Sequence, residues 1–209
     1  MCDKVSRSVA GIILAGGKSS RMDGLDKTNI LFYNKRLWQH VFSRAKDQVK
    51  ALAINSNNKK FSSNENILVL KDSMPGFLGP LAGVYTGLNW VKKEFEKINW
   101  LMTFPVDSPF FPKNLVNLLF TNVNDEKIIM VKSGERIHPT FTLWHVDLLD
   151  SLKTALKEKK LKIDKFSKNF QTKVVNFPII DYDPFYNINN LENLKEARKI
   201  YKNYFKGEQ

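Results

Sequence analysis

Apolar and polar positions follow two rhythms along this chain. Short, largely apolar runs at residues 9–14, 51–54, 67–70, 100–104, 128–131 and 140–143 read as strands. Between them, apolar residues return every three or four positions, the spacing of one helix face. Leu37, Trp38, Val41, Phe42, Ala45 and Val49 predict a helix over 37–49. Pro80 suits a helix start, and Leu81, Val84, Tyr85, Leu88 and Phe95 carry its apolar face. A further helix is expected from Pro112, another over 146–157, and a last one from about 191 with Leu194, Ala197, Tyr201 and Tyr204 in phase. Ser133-Gly134 reads as a turn between two strands, and Phe166 and Phe170 as the buried stripe of a helix.

Strand then helix, repeated without internal repeat or long linker, predicts one α/β domain over 1–209 with a mainly parallel sheet. In such sheets ligands bind beyond the carboxyl ends of the strands. The residues just after each strand therefore carry the search for function.

Composition narrows the partners. Lys and Arg exceed Asp and Glu by +12, which fits an anionic partner such as a nucleotide, a nucleic acid or a phosphorylated small molecule. Cys2 is the single cysteine, so neither an intramolecular disulfide nor a cysteine-based zinc site is expected. Lys4 and Arg7 precede an apolar run at 9–15, but Gly16-Gly17-Lys18-Ser19-Ser20-Arg21 follows it, and the run reads as a strand and not a signal peptide. No apolar stretch approaches the ~18 residues that span a bilayer. A soluble, cytoplasmic protein without membrane partners is expected.

The loop after the first strand holds Gly16, Gly17, Lys18, Arg21 and Lys27. Glycines let backbone N–H groups approach phosphate oxygens, and the cations supply the charge a triphosphate needs. A solvated glycine turn with surface lysines has the same composition. The P-loop pattern would need glycine where Ile12 stands, and the G-x-G-x-x-G spacing is absent. After the strand at 100–104, Asp107 lies in Pro105-Val106-Asp107-Ser108-Pro109, placed to hold Mg²⁺ or to serve as a turn or cap residue.

Leu14-Ala15-Gly16-Gly17, Ser20-Arg21-Met22 and Asp26-Lys27 resemble the signature of nucleotidyltransferases acting on nucleoside triphosphates. With Leu37-Trp38-Gln39-His40-Val41 and Gly79-Pro80-Leu81-Ala82-Gly83, the chain resembles the molybdenum cofactor guanylyltransferase family from about residue 9 to about 198. The resemblance implies a three-layer α/β/α sandwich, Rossmann-like, of the nucleotide-diphospho-sugar transferase type. It implies GMP transfer from GTP to Mo-molybdopterin, with Mg²⁺ as cofactor. Residues 9–110 would form the nucleotide and Mg²⁺ half, and 111–205 the molybdopterin half.

Residue by residue, it implies that Asp107 binds Mg²⁺ and that Arg21 and Lys27 act on the phosphates. Leu14, Ala15, Gly16, Gly17, Lys27, Asn55, Asp72 and Asp107 would bind the nucleotide. A side-chain amide can pair with a base edge and a carboxylate can accept from guanine N–H groups, although Asn55 and Asp72 each also suit a turn. Gly134-Glu135-Arg136-Ile137-His138-Pro139 matches a block near the second substrate, where Arg136 could grip a phosphate and His138 the pterin. Asn187 and Asn189, in a late Asn-x-Asn block, complete that set. His40 and His145 are read as structural. Asp23 replaces a common glycine, and Asn190-Leu191 stands where the family usually has Thr-Pro.

Between Lys153 and Lys173 eight lysines face Glu158 and Asp164, either a solvated surface or an electropositive rim for an anionic substrate. Molybdopterin-delivery proteins and molybdoenzyme chaperones are the macromolecular partners implied, and no nucleic acid. A related transferase using CTP or a sugar-phosphate acceptor shares the first loop and Asp107, so those residues do not separate the two.

Overall fold

The computed structural model describes residues 5, 8–16, 30–58, 67–76 and 78–207. Strand β1 (Val9–Leu14) is buried at every position because it is central in the sheet and covered on both faces. Its side chains alternate. Val9 and Ile13 enter one apolar cluster, and Ala10, Ile12 and Leu14 the opposite one. That double burial is why the run contains no polar position.

The other strands are β2 (Leu31–Phe32), β3 (Lys35–Arg36), β4 (Leu52–Asn55), β5 (Leu68–Leu70), β6 (Trp100–Pro105), β7 (Ile128–Ser133), β8 (Arg136–His145) and β9 (Thr172–Phe177). Of these nine strands among the described residues, seven form one sheet in the order β5-β4-β1-β6-β8-β7-β9, and β2 and β3 form a separate hairpin. β8 is antiparallel to both of its neighbours, and every other pairing in the large sheet is parallel. The sheet draws on the chain from Val9 to Phe177, so both expected halves share one scaffold.

Helices α1 (Leu37–Ala45) and α3 (Leu115–Phe120) cover one face through Trp38, Val41, Leu115 and Val116. Helices α2 (Pro80–Glu94), α4 (Leu149–Lys157) and α5 (Ile163–Ser167) cover the other through Leu81, Val84, Leu152 and Ile163. This is the expected three-layer α/β/α sandwich. Helix α6 (Leu191–Tyr204) belongs to a third cluster, where Ala197, Ile200 and Tyr201 meet Phe32, Leu37 and Phe110. Tyr33, at φ 53° in the β2–β3 turn, is held there by stacking on Tyr201 at 4.4 Å and by donating to the Arg198 carbonyl at 2.8 Å.

Several boundaries differ from the periodicity. The helix expected over 37–49 ends at Ala45 and tightens into a 3₁₀ turn over Lys46–Gln48. The helix expected from Pro112 opens at Leu115, after a turn in which the Leu115 N–H meets the Pro112 carbonyl. Val146–Leu148 is a 3₁₀ turn ahead of α4. Phe166 lies in α5 but Phe170 follows its end, and the two rings still meet at 4.9 Å. Edge strand β9 has no counterpart in the expected elements, because half-buried Lys173 and exposed Asn176 interrupt its apolar residues. Among the described residues no helix is long and apolar enough to cross a membrane.

Candidate active site at the carboxyl ends of the central strands

Three adjacent parallel strands end together. Leu14 pairs in register with Asn55 of β4 on one side and with Pro105 of β6 on the other. The chain beyond stays laced: the Ala15 N–H donates to the Asn55 carbonyl at 3.0 Å, and the Val106 N–H to the Leu14 carbonyl at 3.3 Å. The start of the glycine loop, Asn55 and the Asp107 turn therefore converge at one edge of the sheet. Gly17, Arg21 and Lys27 lie outside the described residues, as does Asp23.

Asn55 and Asp72 come together as a pair. The buried Asn55 donates from Nδ2 to Asp72 Oδ1 at 2.9 Å and to the Leu70 carbonyl at 3.2 Å. Asn57 Nδ2 donates to Asp72 Oδ2 at 2.6 Å, and Asn57 Oδ1 accepts from the Asp72 N–H at 2.9 Å. A carboxylate has about four lone-pair sites, so Asp72 is oriented by these contacts and keeps acceptor capacity for a ligand. Asn57 was not among the expected site residues. Its role depends on the pairing of β4 with β5.

Helix α2 closes over this pair at Gly83 and over the sheet beside it at Gly87 because these two residues have no side chain. A Cβ at Gly83 would sit 2.5 Å from Asn55 Oδ1 and 2.6 Å from Leu14 Cδ2, and one at Gly87 would sit 2.6 Å from Leu101 Cδ2. Gly79 caps the helix at φ +67°, a conformation that favours glycine, and Pro80 follows in its first turn.

Asp107 is partly exposed, whereas Val106 before it and Ser108, Pro109 and Phe110 after it are buried. Its carbonyl accepts from the Ile188 N–H at 2.8 Å, which ties the late Asn-x-Asn block to the β6 turn. Asn187 and Asn189 flank that bond. Asn187 Oδ1 is buried and has no hydrogen-bond partner among the described residues. The Asn189 N–H donates to Asn193 Oδ1, and Asn190 caps α6 by accepting from the Asn193 N–H at 2.8 Å. Asn190 thus caps the helix at the point where the family usually has Thr-Pro.

Among the described residues no three His, Cys, Asp or Glu side chains gather as a metal cage. A single hard carboxylate at a strand end fits Mg²⁺ nonetheless, since that ion keeps waters and takes the rest of its oxygens from substrate phosphates.

In the second half, Arg136 is exposed at the tip of the β7–β8 hairpin, directly opposite Ser133. His138 is buried, with Nε2 2.7 Å from Ser133 Oγ, and that hydroxyl donates to Asp183 Oδ1 at 2.8 Å. Burial lowers the His138 pKa below the ordinary histidine value, against the raising effect of Asp183 and with that of Arg136. Ser133 and Asp183 were absent from the expected set, because fifty residues separate them in sequence. His40 bonds the Phe32 carbonyl at 2.8 Å and packs edge-on against Phe32 and Tyr201, and His145 packs against Trp100 and meets Asp147. Both occupy packing positions, as expected.

Comparison with known proteins agrees with this arrangement. The MobA-like NTP transferase domain matches residues 11–172. The molybdenum cofactor guanylyltransferase of Bradyrhizobium sp. (strain ORS 278) is 33% identical over 205 residues, covering 96% of each chain. The chain belongs to the molybdenum cofactor guanylyltransferase family. Another member, from Yersinia pestis (strain Pestoides F), is 39% identical over 159 residues, covering 76% of this chain and 77% of its own. The crystal structure of molybdopterin-guanine dinucleotide biosynthesis protein A from Archaeoglobus fulgidus shares the fold, with a TM-score of 0.74 at 20% identity over 93% of this chain and 99% of that one. As a member of the guanylyltransferase family, the chain has its matched domain running from β1 to the start of β9. Helix α6 and the Asn187–Asn189 block fall beyond that match.

Proposed function

We propose that this protein transfers GMP from GTP to the phosphate of Mo-molybdopterin, forming molybdopterin guanine dinucleotide and pyrophosphate. An oxygen of the acceptor phosphate attacks the α-phosphorus in line. The bond from that phosphorus to the bridging oxygen breaks, and pyrophosphate leaves. The acceptor phosphate is already ionised at neutral pH, so the attack needs no general base.

One observation supports this reading above the others. Leu14, Asn55 and Pro105 end in register, and the Ile188–Asp107 bond brings the Asn187–Asn189 block to the same edge. A donor and an acceptor can meet only where both halves contribute. The backbone of Leu14, Ala15, Gly16 and Gly17 would cradle the phosphates, with Arg21 and Lys27 holding the α-phosphate and the leaving pyrophosphate. Asn55 and Asp72 would face the guanine. Arg136, His138, Asn187 and Asn189 would form the acceptor side. Asp107 would hold Mg²⁺, which would supply positive charge to the reacting phosphates. Catalysis would then rest on positioning and preorganised charge. The reaction belongs in the cytoplasm, with molybdopterin-delivery proteins and molybdoenzyme chaperones as its partners.

Pyrophosphate release with Mg²⁺, comparing GTP, CTP, ATP and UTP with and without Mo-molybdopterin, tests the reading. Release specific to GTP and dependent on the pterin is expected. Release with CTP would move the function to a related transferase, and no release with any nucleotide from folded protein would refute the activity.

A further inference from the structure

We infer that buried Ser133 and His138 and half-buried Asp183 form a relay whose task is to position Arg136 and Asn187 for the acceptor substrate. The inference rests on the proposed assignment of that side of the site. Hydrogen-bond bookkeeping fixes the direction of the relay. A serine hydroxyl has one hydrogen, and a carboxylate only accepts. Ser133 gives its hydrogen to Asp183 Oδ1 at 2.8 Å, so the hydrogen in its 2.7 Å contact with His138 belongs to Nε2. His138 is thereby held with Nε2–H as donor to Ser133.

This order excludes a nucleophilic triad, in which the imidazole lies between hydroxyl and carboxylate and accepts the hydroxyl proton. Here the serine is in the middle, 1% exposed, and its proton is committed to Asp183. His138 is 5% exposed and its ring lies 5.2 Å from that of Phe185, so direct contact with the acceptor falls to its neighbours.

Those neighbours are what the relay joins. Ser133 and Arg136 face each other at the hairpin tip. Asp183 also accepts from the Phe185 N–H at 2.9 Å, and Phe185 leads to Asn187 and to the Ile188–Asp107 bond. The relay thus sets the distance between an exposed guanidinium and the unpartnered Asn187 Oδ1. An anionic group of the acceptor suits the guanidinium, and the buried Asn187 Oδ1 marks the turn that the relay holds against it.

The test uses the full-length protein and three variants. In the wild type, ¹⁵N NMR of His138 should show the neutral Nε2–H form. Ser133→Ala should abolish the slowly exchanging Nε2–H signal and raise the KM for Mo-molybdopterin about 10-fold, with the KM for GTP unchanged. Asp183→Asn keeps an acceptor oxygen for Ser133 and Phe185, so it should retain both the signal and the KM. Gln48→Ala breaks the buried bonds of Gln48 to Arg44, Pro112 and Val116 and serves as a destabilised control; its KM values should not move. An Nδ1–H tautomer in the wild type would overturn the relay. So would an unchanged acceptor KM in Ser133→Ala, or an equal shift in both KM values. A wild type without guanylyl transfer, but with the signal and its loss in Ser133→Ala, would refute the proposed function and uphold the relay's geometry.

Discussion

The backbone N–H of Ile188 donates to the carbonyl oxygen of Asp107 at 2.8 Å, across eighty-one positions of sequence. Through this bond the late Asn-x-Asn block and the turn after β6 become one surface. It uses only main-chain atoms, so the side chain of either residue can change without breaking it.

That independence makes Asp107→Ala an informative variant. The fold should survive, because Val106 and Phe110 remain buried and the Ile188 bond remains available. Guanylyl transfer should fall by at least ~10²–10³-fold. Circular dichroism and steady-state rates measured together check it, and normal turnover by folded Asp107→Ala would remove the metal assignment.

Lys27 belongs to the glycine-rich loop and, under the proposed mechanism, meets charge that develops on the leaving pyrophosphate. Lys27→Ala should lower kcat by ~10²-fold or more. Single-turnover rates at saturating GTP provide the measurement, and an unchanged rate would take Lys27 out of the mechanism.

Gly83→Ala tests the close approach of α2. Alanine favours a helix interior over glycine by about 1 kcal/mol. The added Cβ, however, would lie 2.5 Å from Asn55 Oδ1 and 2.6 Å from Leu14 Cδ2. Overpacking of this kind costs about 1–3 kcal/mol, and the atoms that must move belong to the proposed nucleotide side of the site. A lower urea midpoint together with weaker GTP binding is expected. Tighter binding or raised stability would contradict the packing argument.

The chain has three histidines, and burial is the leading cause of a lowered pKa at each of them. Between their depressed folded-state values and the ordinary value of 6.5, the unfolded chain binds more protons than the folded one. Their contribution to stability is therefore complete above that ordinary value and is lost as the pH falls through the depressed values. Urea midpoints should decline from about pH 7.5 to about pH 5.5, and His145→Gln should flatten the decline. A midpoint independent of pH across that window would contradict it.

The parts legible in sequence share a physical reason. Strand β1 has helices on both faces, so every position is apolar and the run stands out. The glycine-rich loop and Asp107 follow strands directly, and ligands of such sheets gather there. Strand β9 was not legible because an edge strand buries little, and Lys173 and Asn176 interrupt its pattern. Asn57 and Asp183 were not legible because each acts on a partner brought near by strand pairing, Asp72 in one case and Ser133 in the other.

By itself, the sequence determined the alternation of strand and helix, the motifs that carry the family resemblance, and the loops in which the chemistry was to be sought. Those features are local: periodicity, turn residues and short motifs are set by neighbours along the chain. Tertiary structure alone decided the antiparallel insertion of β8, the pairing of Asn55 with Asp72, the Ser133–His138–Asp183 relay and the closure of Ile188 on Asp107. Each joins residues far apart in the chain. Their contact depends on sheet order and register, which apolar periodicity does not encode.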